Sequence, residues 1–336
     1  MEPASSSSSS SKSALGSLIG RLSQWRASLD LPNPGTVENL QKEVKNTELN
    51  NYIFDGARAD LSKTLSGQPV FQVTHSFALA SQVAMPSYNF GALFINNSGL
   101  YMQGNVDHEG NVNARLNHSW GGSTTNTTKI QAQLSSRDGH NMIQMEHDYQ
   151  GRDYSVNLRA INPSPTDLTG IYMGNYLQSV TKNLALGVET LYQRPTPLQS
   201  EANVSYMVKY TSSPRDWIAT AQFQPAGILM ASYWQKLSEK LDVAAELQVI
   251  AAQQAQRRNA LATLSAKYEL RMSTFRAQLD SSGKVSALLE QRFAPTFAFL
   301  FAGEIDHFKN AAKVGVGVMI ESSSLTPEEM GQPPYQ

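Results

Sequence analysis

The sequence predicts an all-β protein: one transmembrane β-barrel of about 19 strands, its first and last strands parallel, with an N-terminal helix inside the pore. Three observations predict it. From residue 57 to 321 the chain reads as short segments of alternating apolar and polar residues, which puts successive side chains on opposite faces of strands. The apolar face is rich in small and medium side chains and the other is wet and charged, as expected for lipid outside and water inside a barrel too wide to fill. No run approaches the ~20 apolar residues of a spanning helix, and the mean hydropathy is −0.35. That value argues against membrane helices and is neutral toward a membrane barrel.

Composition narrows the function classes. A chain of 336 residues holds either two ordinary domains or one large sheet. The formal net charge of −1 gives no global attraction to nucleic acid, which is not expected as a partner. The absence of cysteine removes disulfides, thiolate zinc sites and cysteine nucleophiles together. No secretory signal with a long apolar core is present, so a bacterial outer-membrane route does not fit. The six histidines, His75, His108, His118, His140, His147 and His307, show no metal-ligand spacing. There is no Gly-x-Ser-x-Gly elbow and no phosphate loop. The expectation is a protein that is not an enzyme and carries no cofactor and no metal.

Residues 1–30 begin with a serine-rich leader too polar to form a core. Leu15, Leu18, Ile19, Leu22, Trp25 and Leu29 then share one helical face, with Arg21 and Arg26 beside them. This composition suits a mitochondrial transit peptide, or an amphipathic helix docking on a partner or on the protein's own body. Residues 31–56 form a second unit. Leu31-Pro32-Asn33-Pro34-Gly35 is a breaker cluster, and Thr36 offers an N-cap oxygen for a helix reaching about Leu49. Its apolar seam is narrow (Val37, Leu40, Val44), and Glu38 and Lys42 stand at an i,i+4 spacing. A helix this polar rests on the wall of a watery cavity or lies exposed.

Residues 57–321 are the barrel, and 322–336 a short polar tail. Candidate strands are 57–65, 69–80, 88–96, 100–107, 111–119, 125–135, 140–150, 152–161, 168–179, 182–193, 200–212, 215–224, 227–236, 239–251, 258–270, 273–280, 284–293, 296–305 and 311–321. Turn signals separate them: Asn97-Ser98-Gly99, Glu109-Gly110-Asn111, Asp138-Gly139, Ser282-Gly283 and the Pro163/Pro165 and Pro195/Pro197 pairs. In the last strand Ala312, Val314, Val316, Val318 and Ile320 oppose Lys313, Gly315, Gly317 and Glu321. An open sheet of this length would carry exposed edges, which lipid does not tolerate, so the sheet must close. An odd strand count then forces the first and last strands to pair in parallel. The alternative at this stage is a soluble all-β protein, which usually has fewer strands and bulkier inner faces.

Strand parity aims Asp107, Glu146, Asp148, Glu189, Glu201, Asp216, Asp242, Glu246, Glu290 and Glu304 at the lumen, together with Lys129, Arg159 and Lys209. The wall is therefore patterned rather than uniformly acidic.

Three stretches carry a resemblance. Leu31-Pro32-Asn33-Pro34-Gly35-Thr36-Val37-Glu38-Asn39-Leu40 resembles the opening segment of the family of central channel-forming subunits of the translocase of the mitochondrial outer membrane, part of the mitochondrial porin superfamily. Asp55-Gly56-Ala57-Arg58-Ala59-Asp60-Leu61-Ser62-Lys63 and Phe71-Gln72-Val73-Thr74-His75-Ser76-Phe77 are similar to that family's first two strands. The resemblance spans about residues 30–322. The voltage-dependent anion channels, whose 19-stranded barrel is the precedent for parallel closure, lack the Asn33-Pro34-Gly35-Thr36 motif. In the last strand, Lys313, Gly315, Val318 and Ile320 fit the polar-x-Gly-x-x-hydrophobic-x-hydrophobic sorting signal of mitochondrial barrel precursors.

The resemblance implies a multi-pass barrel of the mitochondrial outer membrane that passes unfolded precursor proteins, with or without presequences. It implies that residues 15–29 are a retained partner-binding segment, since the family is imported without a cleaved presequence. It also implies partners: precursor polypeptides, single-helix receptor and small accessory subunits, another copy of the barrel, and membrane lipids. Presequences are basic, so the inward acids are the expected substrate path. The rival reading is a metabolite or anion porin of the voltage-dependent anion channel type, which expects a net basic lumen.

Overall fold

The computed structural model describes residues 26, 29–81, 85–122, 125–136, 141–225, 227–251 and 259–323. The serine-rich leader, nearly all of the 15–29 helix and the polar tail from 324 onward lie outside the described residues.

Nineteen strands form one sheet. They are β1 (Gly56–Gly67), β2 (Val70–Ala78), β3 (Ser87–Asn96), β4 (Leu100–Asp107), β5 (Val112–Ser119), β6 (Asn126–Leu134), β7 (Met142–Gln150), β8 (Tyr154–Ile161), β9 (Gly170–Ser179), β10 (Leu184–Thr196), β11 (Gln199–Thr211), β12 (Trp217–Gln224), β13 (Ile228–Ser238), β14 (Leu241–Ile250), β15 (Asn259–Glu269), β16 (Ser273–Asp280), β17 (Lys284–Ala294), β18 (Phe297–Asp306) and β19 (Ala311–Ser323). Consecutive strands pair antiparallel. β1 pairs with β19 in parallel, from Gly56 opposite Gly315 to Thr64 opposite Ser323. The sheet is closed and has no edge, as lipid requires.

All the expected strands are present, and β4 and β16 fall on the expected bounds. β10 overruns its expected end by passing through Pro195. A bulge between Gln193 and Thr196 breaks the ladder there, and a bulge is a place where a sheet tolerates proline.

The two faces divide as alternation demands. On β7, Glu146 and Asp148 are buried toward the lumen while Met145 and Tyr149 are exposed on the outside. On β11, Tyr206, Val208 and Tyr210 point out and Ser205 and Met207 point in. Aromatic clusters mark both rims, as at membrane interfaces. Tyr149, Tyr154 and Tyr176 form one, and Tyr210, Trp217 and Tyr233 another, at the rim where odd-numbered strands end. Phe77 and Tyr88 meet at the opposite rim.

We term the first the terminal rim, because β19 ends there and the N-terminal segment enters there. Arg26 bonds Asp153 and Gln178 outside the lip. The chain then turns inward, and Pro32 and Gly35 are already bonded to the lumen-facing Ser179 and Ser155. From there residues 31–55 run around and across the lumen to the distal rim, where β1 begins.

One helix, α1 (Lys42–Thr47), lies in this pore segment. It is shorter than the 36–49 helix expected from the sequence. Residues 36–42 instead make tight i→i−3 turns, with Asn39, Leu40 and Lys42 donating to Thr36, Val37 and Asn39. The Thr36 hydroxyl accepts from the Asn39 side chain rather than capping the helix. Leu40 and Val44 sit in separate recesses of a curved wall, and turns follow that curvature where a straight rod does not. The expected Glu38–Lys42 pair is also absent, because Glu38 bonds Lys129 on β6 instead.

Candidate functional site

The lumen is built from two sectors. Over much of the wall the pore segment is fastened by three apolar nests. Leu40, backed by Val37, packs on Leu177, Ala185 and Met207. Val44 packs on Ile218, Trp234 and Ala244. Leu49, with Ile53 and Phe54 beside it, packs on Leu288 and Ala302.

Val37, Leu40 and Val44 were expected from the seam. Leu49, one of the most buried side chains, was not, because it falls off that seam at the end of the expected helix. The wall side of each nest was missed as well. A signal existed: Leu177, Met207, Ile218, Trp234 and Leu288 are apolar at positions where strand parity calls for polar residues.

Polar fasteners flank the nests. The Asn33 side chain donates to the Gly151 carbonyl at 2.5 Å and accepts from Gly35 N at 2.7 Å. Gly35 takes a φ of 83°, which glycine adopts without strain and which turns the chain along the wall. Ser155 Oγ donates to Gly35 O at 2.6 Å, and Ser179 Oγ to Pro32 O at 2.7 Å. Farther on, the Leu49 N–H donates to Gln278 Oε1 at 2.8 Å. Arg276 lies 4.1 Å over the Tyr52 ring. Phe54 closes the run by lying on Gly315 and Gly317 of β19, where a side chain at Gly315 would meet the Phe54 ring at 2.8 Å.

The acidic candidates fall into distinct settings. Glu146 and Asp148 face the lumen but are buried and neutralised. Lys129 Nζ is 3.0 Å from Glu146 and 2.7 Å from Asp148, and it also holds Glu38 of the pore segment. Arg159 lies 2.8 Å from the second Glu146 oxygen, and Asn157 donates to both carboxylates. Glu38, Glu146 and Asp148 come close enough together to resemble a metal cage, but the Lys129 ammonium bonds all three.

Asp107 ends β4 and accepts from Glu109 N, Asn111 N and Asn111 Nδ2, so it fastens a turn. Asp216 departs from expectation. The strand begins at Trp217, and Asp216 sits in the preceding turn at the terminal rim, its carbonyl accepting from Lys236 N. Glu304 is 3.4 Å from Lys313, and Glu290 3.1 Å from Arg292. Glu201 accepts from Asn203 near the distal rim. Glu189 and Asp242 stand half-buried on the inner faces of β10 and β14. Glu246, also on β14, lies close to the Glu48 carboxyl of the pore segment.

The second sector is the wall of β2–β5, on which no described contact of the pore segment falls. Gln72, Thr74, Ser76, Asn89, Gly91, Gln103 and Asn105 line an open hollow of about 180 Å³ there. Asn113, Arg115 and Asn117 extend this face onto β5 by register. A Cβ at Gly91 would stand 2.7 Å from the Asn105 side chain, so glycine lets that amide lie against the wall. This sector is rich in amides and hydroxyls and nearly free of charge.

The β19 residues that fit the sorting pattern divide by face. Lys313 and Gly315 point inward, and Val318 and Ile320 outward.

Comparison with known proteins follows the same lines. A family model described as eukaryotic porin matches residues 33–315. The mitochondrial import receptor subunit TOM40 of Saccharomyces cerevisiae is 42% identical over 322 residues, covering 90% of this chain and 82% of that one. The tom40 subunit of Neurospora crassa is 40% identical over 327 residues, covering 94% and 91%. The TOM40 homolog of Homo sapiens is 31% identical over 302 residues, covering 86% and 79%.

Proposed function

The chain belongs to the TOM40 family of mitochondrial import receptor subunits within the eukaryotic porins, and from that membership we propose how its lumen works. It is a protein-conducting channel of the mitochondrial outer membrane, and it passes unfolded precursor polypeptides. The observation that carries the reading is the similarity to TOM40 subunits along nearly the whole chain, on a closed barrel whose lumen holds a fastened pore segment. The metabolite-porin alternative does not fit that similarity.

Precursors cross beside the pore segment, along the β2–β5 wall. Amides and hydroxyls there exchange hydrogen bonds with an extended backbone and discriminate little between sequences. Basic presequences additionally meet inward acids that have no ion pair among the described residues, chiefly Glu189, Glu201 and Asp242. Each such contact is worth only about 1 kcal/mol in water, which favours passage without trapping. Glu146 and Asp148 are spent on Lys129 and Arg159 and hold the wall, while Asp107 and Asp216 serve turns.

The chain works within a translocase. Its outer face receives single-helix receptor and accessory subunits and a second barrel. Lys313, Gly315, Val318 and Ile320 form its assembly signal. It performs no catalysis and holds no cofactor. Single-channel recording tests the function: block by a basic presequence peptide is expected, whereas marked anion selectivity without block would overturn it.

A further inference from the structure

Where the pore segment crosses the terminal rim, it encloses a hollow of about 520 Å³ against the β9–β10 and β11–β12 turns. Lys42, Lys182, Lys209 and Arg215 line it, with Glu43 as its one acidic residue. Among the described residues, none of these four cations forms an ion pair. Two inward lysines make the contrast. Lys129 is held by three carboxylates, while Lys209, half-buried beneath the pore segment, donates only to Pro34 O at 3.3 Å. Glu43 is the one opposing charge for these four cations, so the hollow keeps an excess of positive charge that an anion would relieve.

Depth indicates which anion. Tyr210, Trp217 and Tyr233 stack on the outer face beside the β11–β12 turn, and such aromatic belts lie at the headgroup level of a bilayer. Arg215 sits in that turn with a φ of 57°, a conformation unfavourable for a non-glycine residue. Lys182 sits in the neighbouring turn, so both cations stand where phosphates are densest.

We propose that this hollow is a phosphate-binding site at the lip of the barrel, built from Arg215, Lys182, Lys209 and Lys42, and filled by a lipid headgroup or by free phosphate. The Arg215 guanidinium supplies planar, two-pronged recognition and the lysines supply point charge. An occupied site ties the pore segment to the rim.

The test uses the full chain, purified in neutral detergent or in vesicles of neutral lipid with and without phosphatidic acid. Inorganic phosphate binding is measured by calorimetry at low salt, and retention of phosphatidic acid through delipidation by native mass spectrometry. Binding weakened about tenfold or more in R215Q/K182Q and in K209M, but kept in K182R, supports the site. Retention of phosphatidic acid without phosphate binding identifies a headgroup site, and the converse a soluble-phosphate site. Equal binding by wild type and R215Q/K182Q at unchanged thermal stability overturns the proposal. So does a polyglutamate peptide that binds this face more tightly than either phosphate source, since it would make the hollow a dock for an acidic segment.

Discussion

The carboxyl of Glu48, the residue just after α1, lies close to the carboxyl of Glu246 on the inner wall. Glu48 is 6% exposed, and its Oε1 has no hydrogen-bond partner. Burial pushes the Glu48 carboxyl up to about 8, with Glu246 and Asp280 adding to the rise and Lys45 opposing it. Below that pH the Glu48 carboxyl is protonated, and the buried side chain fastens the pore segment. The native state binds more protons than the unfolded chain between the ordinary carboxyl value and about 8. The contribution is therefore complete below the ordinary value and is lost as pH rises through about 8. Trp234 reports the event, because it packs on Val44 one helical turn away. Its emission should shift red as pH passes from 7 to 9, roughly the window set by the raised carboxyl. Glu48→Gln, neutral throughout, should abolish that shift. A shift of the same size in E48Q would remove the pair from the account.

The Lys129 network makes a second prediction. Replacing Lys129 with methionine leaves Glu146 and Asp148 buried with half their compensation gone. Breaking a buried pair of this kind costs about 3–5 kcal/mol, so K129M should melt well below wild type. Glu38→Gln removes an exposed partner only, and should cost less than about 1 kcal/mol. Equal melting of the two variants would contradict the division.

Much of this molecule was legible in the sequence, and the reason is periodicity. Alternation yields strands one at a time, and odd parity with closure yields the parallel β1–β19 seam without any knowledge of contacts. The lumen was less legible because parity gives a direction and no partner. Glu146 and Glu189 read alike in sequence, yet one is locked to Lys129 and Arg159 and the other is open. Asp216 misled for a different reason: parity was extended two residues past the point where the strand begins. The nests on the wall were hidden because Met207 and Trp234 break the polar face of strands otherwise regular enough to be read past.

Phe54 and Gly315 give a third prediction. A methyl at Gly315 meets the Phe54 backbone and ring, whereas a methyl at Gly303 on the adjacent strand meets nothing within 4 Å. Gly315→Ala should therefore unseat residues 53–55 and expose them to limited proteolysis, and Gly303→Ala should not. Ile320→Asp, on the lipid face, should instead impair membrane assembly. If G315A assembles poorly while its pore segment stays protected, its sorting role dominates.

Leu49 supplies a fourth. Leu49→Ala empties the nest on Leu288 and Ala302, at a cost of about 2–5 kcal/mol. The pore segment should detach locally, raising single-channel conductance and its noise. Unchanged conductance in L49A would mean that the segment does not narrow the pore.

The proposed route takes precursors beside the fastened pore segment, along the amide-rich wall of β2–β5. Photo-crosslinking decides it, with the probe placed at Asn105 or Asn113 facing the lumen, at Val106 facing lipid, and at Met207, which packs on Leu40 of the pore segment. With an arrested precursor in the channel, adducts are expected from Asn105 and Asn113 and not from Val106 or Met207. Adducts from other lumen positions but not these would move the path elsewhere in a working channel. No precursor adduct from any lumen position would contradict the conducting function itself.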